Sequence, residues 1–169
     1  MHETQHDRAM LELVLTRSQQ QAGEFLRSSF EIPEKSLSAT QLINRLQGMV
    51  TLVMATVTSD GRPRAAPVVA AFYRGAFCIP TVRTALRARH VQRNPQVSLS
   101  LYEGNDFAVI VHGVATFVEP GNGDFDRLVQ LQIETGNGDV REWGDPLFIR
   151  VEADRLYTFA RYPDQFPEI

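Results

Sequence analysis

Apolar side chains recur every three or four positions over residues 3–30, and this spacing predicts a helix. Pro33 interrupts the pattern, because proline cannot continue a helix. A second, shorter helix is predicted over residues 39–47. Residues 1–37 are therefore expected to form an N-terminal helical extension that precedes the main domain of residues 38–169.

The pattern then changes to short stretches rich in Val, Ile, Thr and aromatic residues, which is typical of β-strands. Pro67 lies inside the second stretch and implies a sheet edge, a bulge or a position without a ladder hydrogen bond. Gly113 lies in the middle of the longest and suggests a bend or a bulge. The predicted strands cover residues 49–58, 64–73, 76–81, 96–103, 107–119 and, as two closing strands, 146–160.

Two further helices are predicted between these strands, over residues 83–95 and 122–136. One crossover helix among many short strands favours an antiparallel sheet closed, or nearly closed, into a barrel. The expected fold is mainly β (α+β), with about six to seven antiparallel strands and flanking helices.

Composition narrows the class of protein further. The 169 residues are 43% apolar and carry a formal net charge of −3, which fits one compact domain and predicts no nucleic-acid partner. No run approaches the ~20 apolar residues of a membrane span, and the polar N-terminus does not resemble a signal peptide. A single cysteine, Cys78, is expected to be a buried thiol and is compatible with a cytoplasmic location.

Motifs for metal binding and nucleophilic catalysis are missing from the sequence. There is no HExxH, CxxC, GxSxG or glycine-rich phosphate loop. His2 and His6 have the i, i+4 spacing of helical metal ligands, but they lie at a terminus that is expected to fray. The sequence therefore predicts no metal site and identifies no catalytic residue.

One segment, "TVRTALRARHVQRNP" from Thr81 to Pro95, has the residues of a phosphate site. Thr81, Arg83 and Thr84 lie at a strand end and a helix start, and Arg87 follows one turn later on the face of Thr84. Hydroxyls, free backbone N–H groups and a guanidinium at a helix start suit a phosphate group. On spacing alone, a solvated amphipathic helix is favoured over a phosphate site, because basic residues are common at helix ends.

The order of several short motifs resembles that of the pyridoxamine 5'-phosphate oxidase-like family. These motifs are "ATVTSDGRPRAAPVV", a strand ending in Thr81, Arg87 six residues later, "NPQVSLSL", and "FIRVEADRLYTF" near the end. The resemblance covers roughly residues 38–160. It implies a split β-barrel that binds FMN at the interface of a homodimer and transfers hydride to or from a small-molecule substrate.

Cofactor-binding residues follow from the resemblance by position. Thr81, Thr84 and Arg87 match the phosphate ligands, and Arg83 lies nearby. The second strand would present its backbone to the flavin ring, where small side chains allow close approach. The residues of this stretch are Pro67, Val68, Val69 and Ala70.

The chain also departs from the oxidase pattern. Ala66 and Ala71 stand where the oxidase has Arg and Lys, and Ala85 and Leu86 replace Ser and Arg. A phosphorylated substrate needs compensating cations, so oxidation of a vitamin B6 phosphate is not expected. The alternatives are a deazaflavin-dependent reductase and a cofactor-poor dimeric binding or stress module, with a haem-handling role ranked below them.

Aromatic residues near the C-terminus offer a further interpretation. Trp143, Tyr157 and Phe159 are candidates for lining the cleft near the ring, and packing within the barrel or an interface is the alternative. His112, next to Gly113, is a weaker candidate for lining the site.

Overall fold

The N-terminal part of the chain forms three helices. The computed structural model describes residues 2–168, with α1 at Gln5–Gln20, α2 at Glu24–Ser29 and α3 at Ala39–Arg45. The single helix predicted over residues 3–30 is wrong, because the chain leaves the helical conformation between α1 and α2. Gly23 is extended there (φ −65°, ψ 158°), as expected for a residue with low helix propensity.

Six antiparallel strands follow and close into a barrel, which confirms the expected mainly β (α+β) fold. Their order around the barrel is β1-β2-β3-β6-β5-β4. The strands are β1 Met49–Val57, β2 Pro63–Tyr73, β3 Ala76–Val82, β4 Gln96–Glu103, β5 Phe107–Val118 and β6 Pro146–Ala160. Helix α4 (Leu86–Arg93) connects β3 to β4, and α5 (Phe125–Glu134) follows β5.

Residues 146–160 form one long strand, so the prediction of two closing strands is wrong. The pairing of β5 with β6 shifts between His112, opposite Arg155, and Gly113, opposite Ala153. Asp154 is therefore an extra residue in β6 that the ladder absorbs as a bulge. This register shift confirms the irregularity predicted at Gly113. Glycine fits here because a Cβ at this position would collide with the carbonyl oxygen of Glu152.

The core fills the barrel interior and includes buried side chains of α1 and α3. Strand β4 buries Val97, Leu99 and Leu101 on one face, as its alternating sequence predicts. Leu15 of α1 and Leu42 of α3 are also buried in this cluster. Among the described residues, no helix is both long enough and apolar enough to cross a membrane.

A second cluster covers the outer face of the sheet beneath α5. Phe125 and Leu128 of that helix pack with Phe148 and Cys78. Cys78 is fully buried, as predicted, and burial raises the pKa of its thiol to about 12. This thiol is therefore a packing residue, uncharged at any physiological pH.

Candidate functional site

Half of β2 has an open edge. The strand pairs with β1 from Pro63 to Ala71, but it pairs with β3 only from Ala71 to Tyr73. Pro67 lies in the stretch that is paired on one side, in agreement with the prediction of an edge position. Backbone groups of residues 63–70 that point away from β1 are therefore free of the barrel's ladder and available to another molecule.

A cleft of about 510 Å³ lies between this stretch of β2, the end of β1 and helix α4. Cross-strand neighbours on β1 and β2 share a face of the sheet, and the pairs Thr56–Arg64 and Met54–Ala66 both contribute to the cleft. The cleft is lined by Met54, Thr56, Thr58, Arg64, Ala65, Ala66, Val68, Leu86, Arg87 and His90. Its wall is apolar around Met54 and polar around Thr56.

The charged groups of the cleft are all potentially positive. Arg64, Arg87 and His90 line it, and none of the described lining residues is acidic. The side chains of Arg64 and Arg87 form no ion pair or hydrogen bond with any residue from 2 to 168. By contrast, the neighbouring Arg62 is paired with Asp60 at 2.9 Å. Unneutralised guanidinium groups in a concave site attract anionic ligands.

A hydrogen bond joins the two sides of the cleft. Oγ1 of Thr56 lies 2.8 Å from Nδ1 of His90, and Thr56 is only 4% exposed. His90 follows Arg87 by three residues, so both project from the same side of α4. Sequence reasoning missed Arg64 and His90. Two patterns in the sequence point to these residues. Arg64 lies two residues before Ala66 on β2, and His90 lies three residues after Arg87 on α4.

The structure brings two of the residues predicted for the cofactor, Val68 and Arg87, into the cleft wall. Of the other residues on β2, Pro67 is exposed, Val69 is half-buried and Ala70 points into the core. The role of all four β2 residues in flavin binding stays a prediction.

The remaining predicted phosphate ligands are not among the residues that line the cleft. Thr81 is 4% exposed within β3, and Thr84 is exposed just before α4. Arg83 donates to Glu119 at 2.6 Å and to Asp145 at 3.0 Å. Two carboxylates therefore already neutralise Arg83, in contrast to Arg87.

The candidate aromatic residues lie elsewhere within the described chain. Tyr157 is buried on β6, Trp143 is half-exposed, and Phe159 packs against Phe30 with ring centroids 5.7 Å apart. His112 is exposed on β5, with Nδ1 2.7 Å from Oγ of Ser98. None of the four lines the cleft formed by β1, β2 and α4.

Comparison with solved structures gives the same fold in several proteins. A conserved hypothetical protein from Mycobacterium tuberculosis is 22% identical, with a TM-score of 0.61 over 77% of this chain and 87% of that one. A FAD-binding protein from Mesorhizobium loti is 17% identical, with a TM-score of 0.58 over 73% and 95%. An F420 reductase is 19% identical, with a TM-score of 0.53 over 66% and 91%.

Family membership rests on the sequence itself. No curated protein matches the chain. The family model described as pyridoxamine 5'-phosphate oxidase matches residues 41–158, which covers most of the barrel and both helices within it. The resemblance seen in the sequence is thereby confirmed, and the chain belongs to the pyridoxamine 5'-phosphate oxidase-like family of split β-barrel proteins.

Proposed function

We propose that this protein binds FMN in the cleft between β2 and α4 and acts as an oxidoreductase that transfers hydride between the flavin and a small-molecule substrate. The observation that carries the proposal is a cationic cleft, free of acidic side chains among its described lining residues, beside an open strand edge. A flat ring with polar edges and an anionic tail matches both features.

The ring end of a flavin fits the β2 side of the cleft. Ala66 and Val68 present small side chains, so a planar ring can approach the strand closely. The open edge of residues 63–70 supplies backbone N–H and C=O groups, which complement the donors and acceptors of a pyrimidine ring. Met54 adds an apolar contact from β1.

The phosphate end fits the α4 side. Arg87 in the first turn has no carboxylate partner among the described residues, and it lines the cleft. The N-cap of α4 is Ala85, which has no side-chain group to accept from the N–H groups of that turn. A phosphate at this helix start would receive a guanidinium contact and free backbone donors together. Thr84 lies next to this position.

When bound, the flavin supplies the hydride chemistry, and the protein supplies orientation and electrostatics. The β2 edge fixes the ring, and Arg87 anchors the phosphate. The hydrogen bond between Thr56 Oγ1 and His90 Nδ1 holds the imidazole ring in one orientation in the cleft wall. The residues that line the cleft thus position the flavin and its substrate, and hydride transfer between these two molecules needs no protein nucleophile.

The proposal includes a homodimer. The outward faces of β1 and β5 carry apolar side chains that are only half-buried, which leaves apolar surface for a second copy. Examples are Val53, Ala55, Ile110 and Val114. A cytoplasmic location stays a prediction from the sequence.

A titration of the purified protein with FMN, monitored by flavin fluorescence, tests whether the protein binds this cofactor. Riboflavin is the matched control, because it has the same ring without the phosphate. We expect FMN to bind at least tenfold more tightly than riboflavin, since charge-assisted hydrogen bonds to phosphate contribute about 1.5–3 kcal/mol. Absence of FMN binding would reject the proposal, and absence of binding by a deazaflavin as well would favour a cofactor-poor binding module.

A deazaflavin-dependent reductase is the second candidate. Its support is the shared fold of an F420 reductase, which the chain matches over 91% of that protein's length. A deazaflavin coenzyme titrated beside FMN separates the two. Tighter binding of the deazaflavin would replace the first proposal by the second.

A further inference from the structure

Three polar residues form a continuous row across the cleft, away from the Arg87 position at the helix start. Thr56 of β1 is the direct cross-strand partner of Arg64 on β2, so their side chains lie on one face of the sheet. On its other side, Thr56 is hydrogen-bonded to His90 of α4 at 2.8 Å. The buried Thr56 thus stands between two basic residues that line the cleft: its hydroxyl is bonded to His90, and its cross-strand neighbour is Arg64.

Each of the two basic side chains keeps at least one nitrogen without a partner within the described chain. The Arg64 side chain is exposed, and its guanidinium has no ion pair or hydrogen bond with residues 2–168. His90 uses Nδ1 for Thr56, and its Nε2 has no protein partner among the same residues. When Nδ1 of a neutral imidazole accepts a hydrogen bond from the Thr56 hydroxyl, Nε2 carries the ring hydrogen and is a donor. A guanidinium and an N–H donor on one wall are complementary to a carboxylate or a phosphate.

Arg64 lies on the same face of β2 as Ala66, which lines the apolar part of the cleft. Arg64 precedes Ala66 by two residues on the strand. Alternate residues of a strand point to the same face, about 7 Å apart along it. The positive charge of Arg64 is thus placed beside the apolar wall, at the level of Thr56.

We propose that Arg64, Thr56 and His90 form a second anion subsite, which binds the carboxylate or phosphate group of an organic substrate, while Arg87 binds the phosphate of the cofactor. Arg64 supplies the charge, His90 donates from Nε2, and Thr56 positions the imidazole ring. The apolar wall at Met54 and Ala66 is available to the body of either molecule. The identity of this anion as the substrate and the assignment of Arg87 to the cofactor rest on the proposed function; the anion site at Arg64, Thr56 and His90 does not.

Binding of two probe anions, benzoate and inorganic phosphate, tests the subsite. They are titrated into FMN-saturated protein, followed by the flavin absorbance spectrum, and into the protein without FMN, followed by calorimetry. The variants are Arg64→Gln and His90→Gln. Arg62→Gln is the matched control, because Arg62 is a neighbouring exposed arginine already paired with Asp60.

We expect at least one probe to bind saturably and to lose tenfold or more in affinity in Arg64→Gln and His90→Gln, with Arg62→Gln unchanged. FMN affinity should stay within threefold of wild type in all three. Equal effects of Arg64→Gln and Arg62→Gln, or no saturable anion binding, would overturn the subsite. A loss of FMN affinity in Arg64→Gln would overturn it too, because Arg64 would then bind the cofactor.

Failure of the proposed function gives a different result. If FMN does not bind at all, the calorimetric titration of benzoate and phosphate into the protein without FMN still tests the anion subsite. A tenfold loss of benzoate or phosphate binding in Arg64→Gln, without a loss in Arg62→Gln, would uphold an anion site in a protein that does not use a flavin. No difference between these variants would reject both proposals.

Discussion

The Thr56 hydroxyl on β1 lies 2.8 Å from Nδ1 of His90 on α4, and this hydrogen bond joins the helix to the barrel within the cleft wall. The donor and acceptor come from elements separated by two strands in sequence. Thr56 is 4% exposed, so its hydroxyl has little access to water as an alternative partner. The orientation of His90 therefore depends on a buried group of the barrel.

Replacing Thr56 tests this dependence. Thr56→Val keeps the shape but removes the hydrogen bond, which should lower the free energy of unfolding by about 1 kcal/mol. Benzoate or phosphate binding should weaken severalfold because the imidazole is no longer held. Urea unfolding and anion titration measure the two effects. Thr56→Ser, which keeps the hydroxyl, should retain anion binding; equal losses in both variants would contradict the positioning role.

Arg83 was predicted from sequence to lie near the cofactor phosphate, and its surroundings favour a weaker role than that of Arg87. Its guanidinium already contacts Glu119 and Asp145, so much of its charge is neutralised. We expect Arg83→Gln to change FMN affinity by less than threefold, measured by fluorescence titration. A tenfold loss would show that Arg83 exchanges its carboxylate partners for the phosphate.

Gly113 marks the bulge at which β5 and β6 change register. A Cβ at this position would collide with the carbonyl oxygen of Glu152 and lie 2.9 Å from its carbonyl carbon, and neither atom can move without shifting the backbone. Gly113→Ala should therefore destabilise the fold by about 3 kcal/mol, measured by urea unfolding. Gly123→Ala, at a site with no atom within 4 Å, is the control and should be close to wild type.

The Cys78 thiol is expected to be unreactive in the folded protein. Burial is the largest cause that raises its pKa to about 12, against an ordinary value of 9.0. The folded state thus favours the protonated thiol, so this contribution to stability is present below pH 9 and is lost as the pH rises toward 12. A thiol reagent at pH 8 should label native protein very slowly and unfolded protein rapidly. Fast labelling of the native protein would contradict this burial.

Local patterns predicted most of the barrel, because alternation along a strand is a property of neighbouring residues. Val97, Leu99 and Leu101 alternate in sequence and are all buried in β4. Asp154 and Arg155 illustrate a limit of such patterns. A polar pair between apolar runs has the same appearance whether it forms a turn or, as here, lies at a bulge in one continuous strand.

The sequence predicts the residues of the cleft less completely than it predicts the fold. Arg87 was found because its spacing from Thr81 resembles the family pattern. Arg64 and His90 lie 26 residues apart in the chain and are joined only through the β1–β2 register and the hydrogen bond of Thr56. Such a row depends on tertiary contacts, so residue patterns alone do not reveal it.

The central claim is that the cleft binds FMN with its phosphate at Arg87, and the most direct measurement is FMN affinity in Arg87→Gln. The matched control is Arg89→Gln, an exposed arginine on the same helix that does not line the cleft. Loss of a charge-assisted contact of about 1.5–3 kcal/mol predicts a tenfold or greater loss of affinity for Arg87→Gln and little change for Arg89→Gln. Equal FMN affinity in wild type and both variants would contradict the claim.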